Sequence, residues 1–419
     1  MKRLLVVLAI FFSAPIMCTS SSINAWGSYD PVITVVLMVK NEEPVIVQTV
    51  DPFIKGGIDS FLIFDTGSTD NTIAVVEEHF KKNGVTSYVI EQEPFIDFAT
   101  SRNRALELAE CHFPRAGYFI MPDAEWYIQG AEALRAFCTE CLIQGAPDKM
   151  LSLRAIFTSS AGEYSNNSYV VPRLFKADAH IRFEGVVHEI PDCHDVTMIV
   201  PDVLIDHRPS SFGDDKTHKR IIRDIALLSA ELEKHPDNPR TLFYLAQSHT
   251  VLGEYKKAIE YLTKRIAIEG FAEERFVALV RLGQIYEQLY ITGEVSSWDQ
   301  AEYYFLQAYY YRPSRAEPLI HLANHYLYVG EYKAAYSLIS RACSMPLSQD
   351  SLSINKELYD FNRWDIMARA AFIFGYHDQA VSAAEIALRV APETNHLKEI
   401  IARCRSLSDN AKIFSYQSL

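Results

Sequence analysis

The stretch Phe119-Ile-Met-Pro-Asp-Ala-Glu-Trp126 decides how this chain is read. An apolar run ends in two carboxylates, Asp123 and Glu125, with one small residue between them. At a strand end, alternate residues face the same side, so both carboxylates can reach one ion. Mg²⁺ and Mn²⁺ are hard cations, and such sites use one or two carboxylates completed by water and phosphate. The stretch therefore predicts a metal–diphosphate site. The competing reading is a solvated acidic loop, and the neighbouring segments decide between the two.

From Asp30 the pattern is strand, turn, helix, repeated. Val32 to Val39 is apolar and β-branched, as in a buried parallel strand, and it ends at Lys40-Asn-Glu-Glu43. Ser60 to Phe64 predicts a second buried strand, ending at Asp65. In Phe64-Asp-Thr-Gly-Ser-Thr-Asp-Asn-Thr72, Gly67 permits a tight turn, and Ser68, Thr69 and Asp70 are helix caps. Asp65 then lies at the C-terminal end of a parallel strand, where open α/β sheets bind ligands. Ser87 to Ile90 is a third strand. A helix follows, with Arg102 and Arg104 near its start. Cations there work against the helix dipole, so they point to an anionic partner, either a phosphate or an acidic neighbour.

Taken together, these pieces resemble the family 2 glycosyltransferases of the GT-A fold, an α/β nucleotide-diphospho-sugar transferase fold of Rossmann-like type. The matching segments are Val39-Lys-Asn-Glu-Glu43, Phe64 to Thr72, Ser101-Arg-Asn-Arg-Ala-Leu106 and Asp123-Ala-Glu125. The resemblance implies that Lys40, Asn41 and Glu42 line the nucleotide pocket. It places Asp65 and Thr66 at base or ribose, Arg102 and Asn103 close to the nucleotide, and Asp123 and Glu125 on a diphosphate-bound Mg²⁺ or Mn²⁺. Family members often read Asp-Ala-Asp-Glu at this strand end, whereas this chain reads Pro122-Asp-Ala-Glu-Trp126. Either Asp123 is the first acid of an Asp-x-Glu variant, or Pro122 replaces that acid and the metal site is weakened.

Beyond this core, Gln129 to Cys138 predicts a helix, Met150 to Phe157 a strand, Gly162 to Ser168 a polar loop, and Tyr169 to Phe175 another strand. Asn166-Asn-Ser168 is a glycosylation sequon, relevant only in a eukaryotic secretory host. Ile181 to Pro191 resembles the family's segment ending in His-Glu, and Asp206-His207 its later histidine. An inverting transfer needs one general base to deprotonate the acceptor hydroxyl. Glu189 is the candidate base, and His188 is a candidate metal ligand or diphosphate contact. The alternative makes His188 and Glu189 a structural pair, and His207 is read as a structural histidine.

The chain has 419 residues, 49% of them hydrophobic, with 40 basic and 53 acidic residues for a net charge of -13. This is enough for two or three cores, and the acidic balance argues against nucleic acid as a partner. Met1-Lys-Arg, the apolar run Leu4 to Phe12 and the small residues after it predict an export or membrane-tethering segment over residues 1–25, with a cytoplasmic location as the alternative. The seven cysteines form no framework. Cys138-Thr-Glu-Cys141 has no second pair to complete a zinc site, so ordinary thiols are expected over zinc or a local disulfide.

After the α/β domain, placed at residues 30–215, the chain turns helical. Leu245-Ala246, Gly253-Glu-Tyr255 and Ala258 are echoed by Leu322-Ala323, Gly330-Glu-Tyr332 and Ala335, and again by Ala370-Ala371, Gly375-Tyr376 and Ala380. Leu282-Gly283, Trp298 and Ala301 form a degenerate copy. The pattern resembles tetratricopeptide repeats, expected over residues 216–400 with a tail at 401–419. Two functions compete. One is a metal-dependent, inverting transferase that uses a nucleotide-diphosphate sugar donor and a protein or glycan acceptor, the repeats presenting the acceptor or mediating self-association. The other is a catalytically weak transferase domain serving a protein-binding scaffold.

Overall fold

In a computed structural model, the structure describes residues 30–146, 148–158, 164–193, 198–208, 214–350 and 352–416. The expected export segment and part of the polar loop at 162–168 lie outside them. The chain divides into two compact units, Met1–Pro209 and Ser210–Leu419.

The first unit is an α/β domain. Its elements are β1 (Ile33–Val39), α1 (Ile46–Lys55), β2 (Ser60–Asp65), α2 (Thr72–Lys82), β3 (Ser87–Gln92), α3 (Phe98–His112), β4 (Tyr118–Ile120), β5 (Trp126–Gln129), α4 (Ala131–Gln144), β6 (Met150–Thr158), β7 (Tyr164–Lys176), β8 (Phe183–Glu184), β9 (Ile190–Pro191) and β10 (Ile199–His207). Eight strands form one sheet in the order β3-β2-β1-β4-β7-β6-β10-β5. The first four run parallel, and β7 is antiparallel to both β4 and β6.

Both faces of this sheet are covered, which is why β1 and β2 read as continuous apolar runs. Val35, Leu37 and Val39 pack with Ile46, Val50 and Phe53 of α1, Val76 and Phe80 of α2, and Leu134 and Cys138 of α4. Val36, Leu62 and Phe64 face the other way, against Ala105, Leu106 and Ala109 of α3. Residues 164–168, expected in a loop, extend β7 instead.

The second unit is all helical: α5 (Asp214–Lys234), α6 (Pro239–Val251), α7 (Tyr255–Ala267), α8 (Ala272–Ile291), α9 (Asp299–Tyr311), α10 (Glu317–Tyr328), α11 (Tyr332–Cys343), α12 (Arg363–Ile373), α13 (His377–Val390) and α14 (Asn395–Tyr416). The expected boundary at 215/216 falls inside α5, and α14 runs through the expected start of a tail at 401. Helices α6 to α13 pair as four antiparallel hairpins. Gly253, Gly293, Gly330 and Gly375 turn them with φ between 71° and 85°. Ala246 and Ala258, and Ala323 and Ala335, are wholly buried where paired helices cross. At the degenerate repeat a Cβ on Gly283 would meet the Phe305 ring at 2.6 Å, so only glycine lets α8 and α9 close. No helix among the described residues is long and apolar enough to cross a membrane.

Candidate active site

The loops after β1 and β2 are laced together at the C-terminal edge of the parallel strands. Asn41, held at φ 56°, donates its backbone amide to Ser68 Oγ at 2.9 Å and accepts from the Thr69 amide at 2.7 Å. The Glu42 amide donates to Thr72 Oγ1 at 2.8 Å, and Glu43 accepts from the Asn71 amide at 3.0 Å. Asp70, rather than the Asn71 that precedes α2, supplies the capping oxygen for the Thr72 amide. Asp65 is 1% exposed and accepts from Ser68 and from Gln92 Nε2. Thr66 is also buried and bonds the Val39 carbonyl. Lys40, Asn41, Glu42, Asp65 and Thr66 therefore share one edge. In this structure Asn41, Asp65 and Thr66 shape the loops through their own hydrogen bonds.

A charged cluster lies at the end of β4. Arg102, on α3 and 4% exposed, donates Nη2 to Asp123 and Nε to Glu189 Oε1 at 2.6 Å. Arg173 of β7 donates Nη2 to the same Glu189 oxygen at 3.2 Å. Both guanidiniums lie over the Phe183 ring, and Arg173 also lies 5.6 Å from the Trp126 ring. The anionic partner implied by an arginine at a helix start is thus a pair of acidic neighbours. Burial alone would lower the Arg102 pKa, but Asp123 and Glu189 outweigh it and raise it. Burial pushes the Asp123 carboxyl up, while Arg102 and Arg173 more than offset that and hold it below the usual aspartate range. Arg173 is lowered, by burial first and then by its like-charged neighbour Arg102.

Asp123 and Glu125 do not alternate along a strand as expected. β4 stops at Ile120, and Trp126 donates its amide back to the Asp123 carbonyl at 3.0 Å, closing a turn. The two side chains consequently take different partners. Glu125 Oε1 lies 3.4 Å from His207 Nε2, and His207 Nδ1 lies 3.0 Å from the Tyr169 hydroxyl. Burial first, and then Asp123 and Glu125, raise the Tyr169 pKa to about 12. His207, read from sequence as structural, is therefore the imidazole recorded beside the acidic pair. Its one sequence signal is the resemblance of Asp206-His207 to the family's later histidine; the structure adds that His207 pairs with Trp126 across β10 and β5.

His188 is exposed, at φ 55°, on the segment after β8. Asn103 spends both ends of its amide on the backbone of Phe183, at 2.9 and 2.6 Å, which docks that segment on α3 and brings Glu189 to Arg102. Asn103, expected close to the nucleotide, positions the Phe183 segment through these two bonds. Glu189 Oε1 carries two guanidinium bonds, so the expected base is the anchor of two arginines in this structure. Arg173 and Tyr169 were missed because nothing in their local pattern separates them from ordinary strand residues.

The donor set can be tested against a divalent cation. Among the described residues no three His, Cys, Asp or Glu side chains converge as a closed metal site. Asp123 and Glu125 are each about a third exposed, at 33% and 34%. Two accessible carboxylates fit a cation that takes its other ligands from phosphate and water.

Residues 34–124 match the family described as Glycosyl transferase family 2. The SPbeta prophage-derived glycosyltransferase SunS of Bacillus subtilis (strain 168) is 24% identical over 257 residues, covering 60% of this chain and 57% of that protein. The glycosyltransferase SunS of Bacillus phage SPbeta matches with the same figures. The chain thus spans little more than half the length of these relatives. Among solved structures, a thermophilic TPR protein of Thermus thermophilus is 20% identical over 45% of this chain and 92% of its own, with a TM-score of 0.31. MamA is 20% identical over 45% and 99%, with a TM-score of 0.33. These scores are low, and the helical hairpins stand on their own geometry. Residues 34–124 of the N-terminal unit match a glycosyl transferase family 2 domain, and the chain continues from that unit into antiparallel helical hairpins.

Proposed function

We propose that this chain is a glycosyltransferase that moves a sugar from a nucleotide-diphosphate donor to a protein or glycan acceptor, with inversion at the anomeric carbon. The observation that carries the reading is the cluster of Arg102, Arg173, Asp123, Glu125 and His207 within and beside the matched span, at the edge where open α/β sheets bind ligands. Asp123 and Glu125 would hold Mg²⁺ or Mn²⁺, with water and phosphate completing its ligands. The cation would neutralise charge on the departing diphosphate.

The chain's own residues do the rest. The laced loops at Asn41 and Asp65 form a fixed edge for the nucleoside. Arg102 and Arg173, anchored by Glu189, keep two positive charges beside the carboxylates. Tyr169 orients the His207 ring. The helical unit is proposed to present the acceptor. The test is nucleoside diphosphate release from a panel of UDP-, GDP- and dTDP-sugars with Mn²⁺ present. Release that Asp123→Asn abolishes supports the reading. Equal release by wild type and variant refutes it.

A further inference from the structure

Helix α1 turns Ile46, Thr49, Val50 and Phe53 inward, at the spacing that puts residues on one helix face. Three of these are apolar and pack in one core with Ala124 and Trp126. Thr49 is the exception, a hydroxyl at 0% exposure on a core-facing position. A buried hydroxyl is costly unless it is bonded. Its own helix offers the Val45 carbonyl at 3.2 Å, but that oxygen already accepts the Thr49 amide at 3.1 Å. The nearer acceptor is the carbonyl of Ala124, 75 residues further along the chain.

Ala124 stands between the two acids of the turn after β4. It is buried, and no backbone amide among the described residues donates to its carbonyl. The turn is otherwise tied by the Met121 amide on the Arg173 carbonyl at 2.9 Å and by the Trp126 amide on the Asp123 carbonyl at 3.0 Å. The Ala124 carbonyl and the Glu125 amide belong to one planar peptide group, so holding the oxygen sets the direction in which the chain enters Glu125. The Asp123 carboxylate is held separately, by Arg102. Glu125 has a looser hold, 34% exposed and 3.4 Å from His207. Helix α1 itself starts on the Glu42 carbonyl, which accepts the Val45 and Ile46 amides at 3.0 and 2.9 Å. The helix that begins in the Asn41–Glu43 loop therefore also props the acidic turn.

We infer that Thr49 is a positioning residue: its hydroxyl, through the Ala124 carbonyl, sets the orientation in which Glu125 meets the cation. The inference rests on the cation-binding role proposed for Asp123 and Glu125.

The test is calorimetric titration of the full chain with Mn²⁺ in the presence of UDP or of GDP. Thr49→Val keeps the shape and removes the hydroxyl, whereas Thr49→Ser keeps the hydroxyl. Thr49→Val should weaken Mn²⁺ affinity about tenfold at unchanged stoichiometry, and Thr49→Ser should stay within about twofold of wild type. In a Glu125→Gln background, Thr49→Val should cause no further loss, because both changes act on the same ligand. A threonine that only stabilises the fold would lower the stoichiometry through partial unfolding and leave the affinity of the folded protein intact, and that result overturns the inference. Wild-type affinity in Thr49→Val, an equal loss in Thr49→Ser, or losses that multiply in the double variant overturn it as well. Wild-type protein that binds no Mn²⁺ with either nucleotide overturns the cation site itself, and this inference with it.

Discussion

Replacing Arg102 by methionine tests the cluster most sharply. The substitution keeps the stem that packs near Phe183 and removes the guanidinium that bonds Asp123 and Glu189. Breaking a buried ion pair from one side costs ~3–5 kcal/mol, because a charge is left uncompensated. Here the lower end applies. Asp123 is a third exposed and regains water, and Glu189 keeps Arg173. The expected loss is about 3 kcal/mol. Two units make a single unfolding free energy ill-defined, so the assay is hydrogen exchange of β4 and β7 in the full chain, read by mass spectrometry. A loss of that size speeds exchange of the slowest amides there about 100-fold.

The sign with pH follows from Asp123, whose folded pKa is depressed. Its contribution is present above the unfolded value near ~3.9 and is lost as pH falls through the folded one. After correction for intrinsic exchange, the gap between wild type and variant should therefore be constant from about pH 8 to pH 5 and narrow below about pH 4. A change in exchange below threefold at pH 7, or a gap that widens on acidification, would show that the pair does not hold β4 to α3.

Other expectations are narrower. Glu189→Gln should weaken donor binding together with the rate, because two arginines lose their anchor; a fall in rate alone, with donor affinity intact, would favour Glu189 as the general base over that anchoring role. Glu125→Gln should weaken Mn²⁺ binding in the presence of UDP about tenfold or more, measured by calorimetry, and unchanged affinity would remove Glu125 from the cation site. Gly130→Ala should destabilise the first unit by roughly 2 kcal/mol or more, seen as faster exchange at β10, since φ is 82° and a Cβ would lie 2.2 Å from the Asp202 carbonyl oxygen. Wild-type exchange rates in that variant would show that the Gly130 backbone can move aside.

Much of this arrangement was legible in the residues. β1 and β2 are apolar at nearly every position because both faces of the sheet are covered, and that pattern is local. The positions of Arg102 and Arg104 against the helix dipole pointed to an anion, and Arg102 meets two carboxylates. The repeated glycine and alanine pattern marked the hairpin turns and crossings. What stayed hidden depends on non-local geometry. The sequence places Asp123 and Glu125 at a strand end with their side chains on one side, yet the Trp126 amide closes a turn there and separates their partners. Glu189 has the right chemistry for a base, and only the fold shows Arg102 and Arg173 sharing its oxygen. His207 and Tyr169 lie 38 residues apart in sequence, and the β7, β6 and β10 pairing brings them together.

The central claim is a nucleotide site built around Asp123. Its most direct test is calorimetric titration of the full chain with UDP and GDP, with and without Mn²⁺, beside Asp123→Asn. The account predicts binding of one nucleotide that strengthens with Mn²⁺ and is lost in the variant. Folded protein that binds neither nucleotide, or binding indifferent to both Mn²⁺ and Asp123, would contradict it.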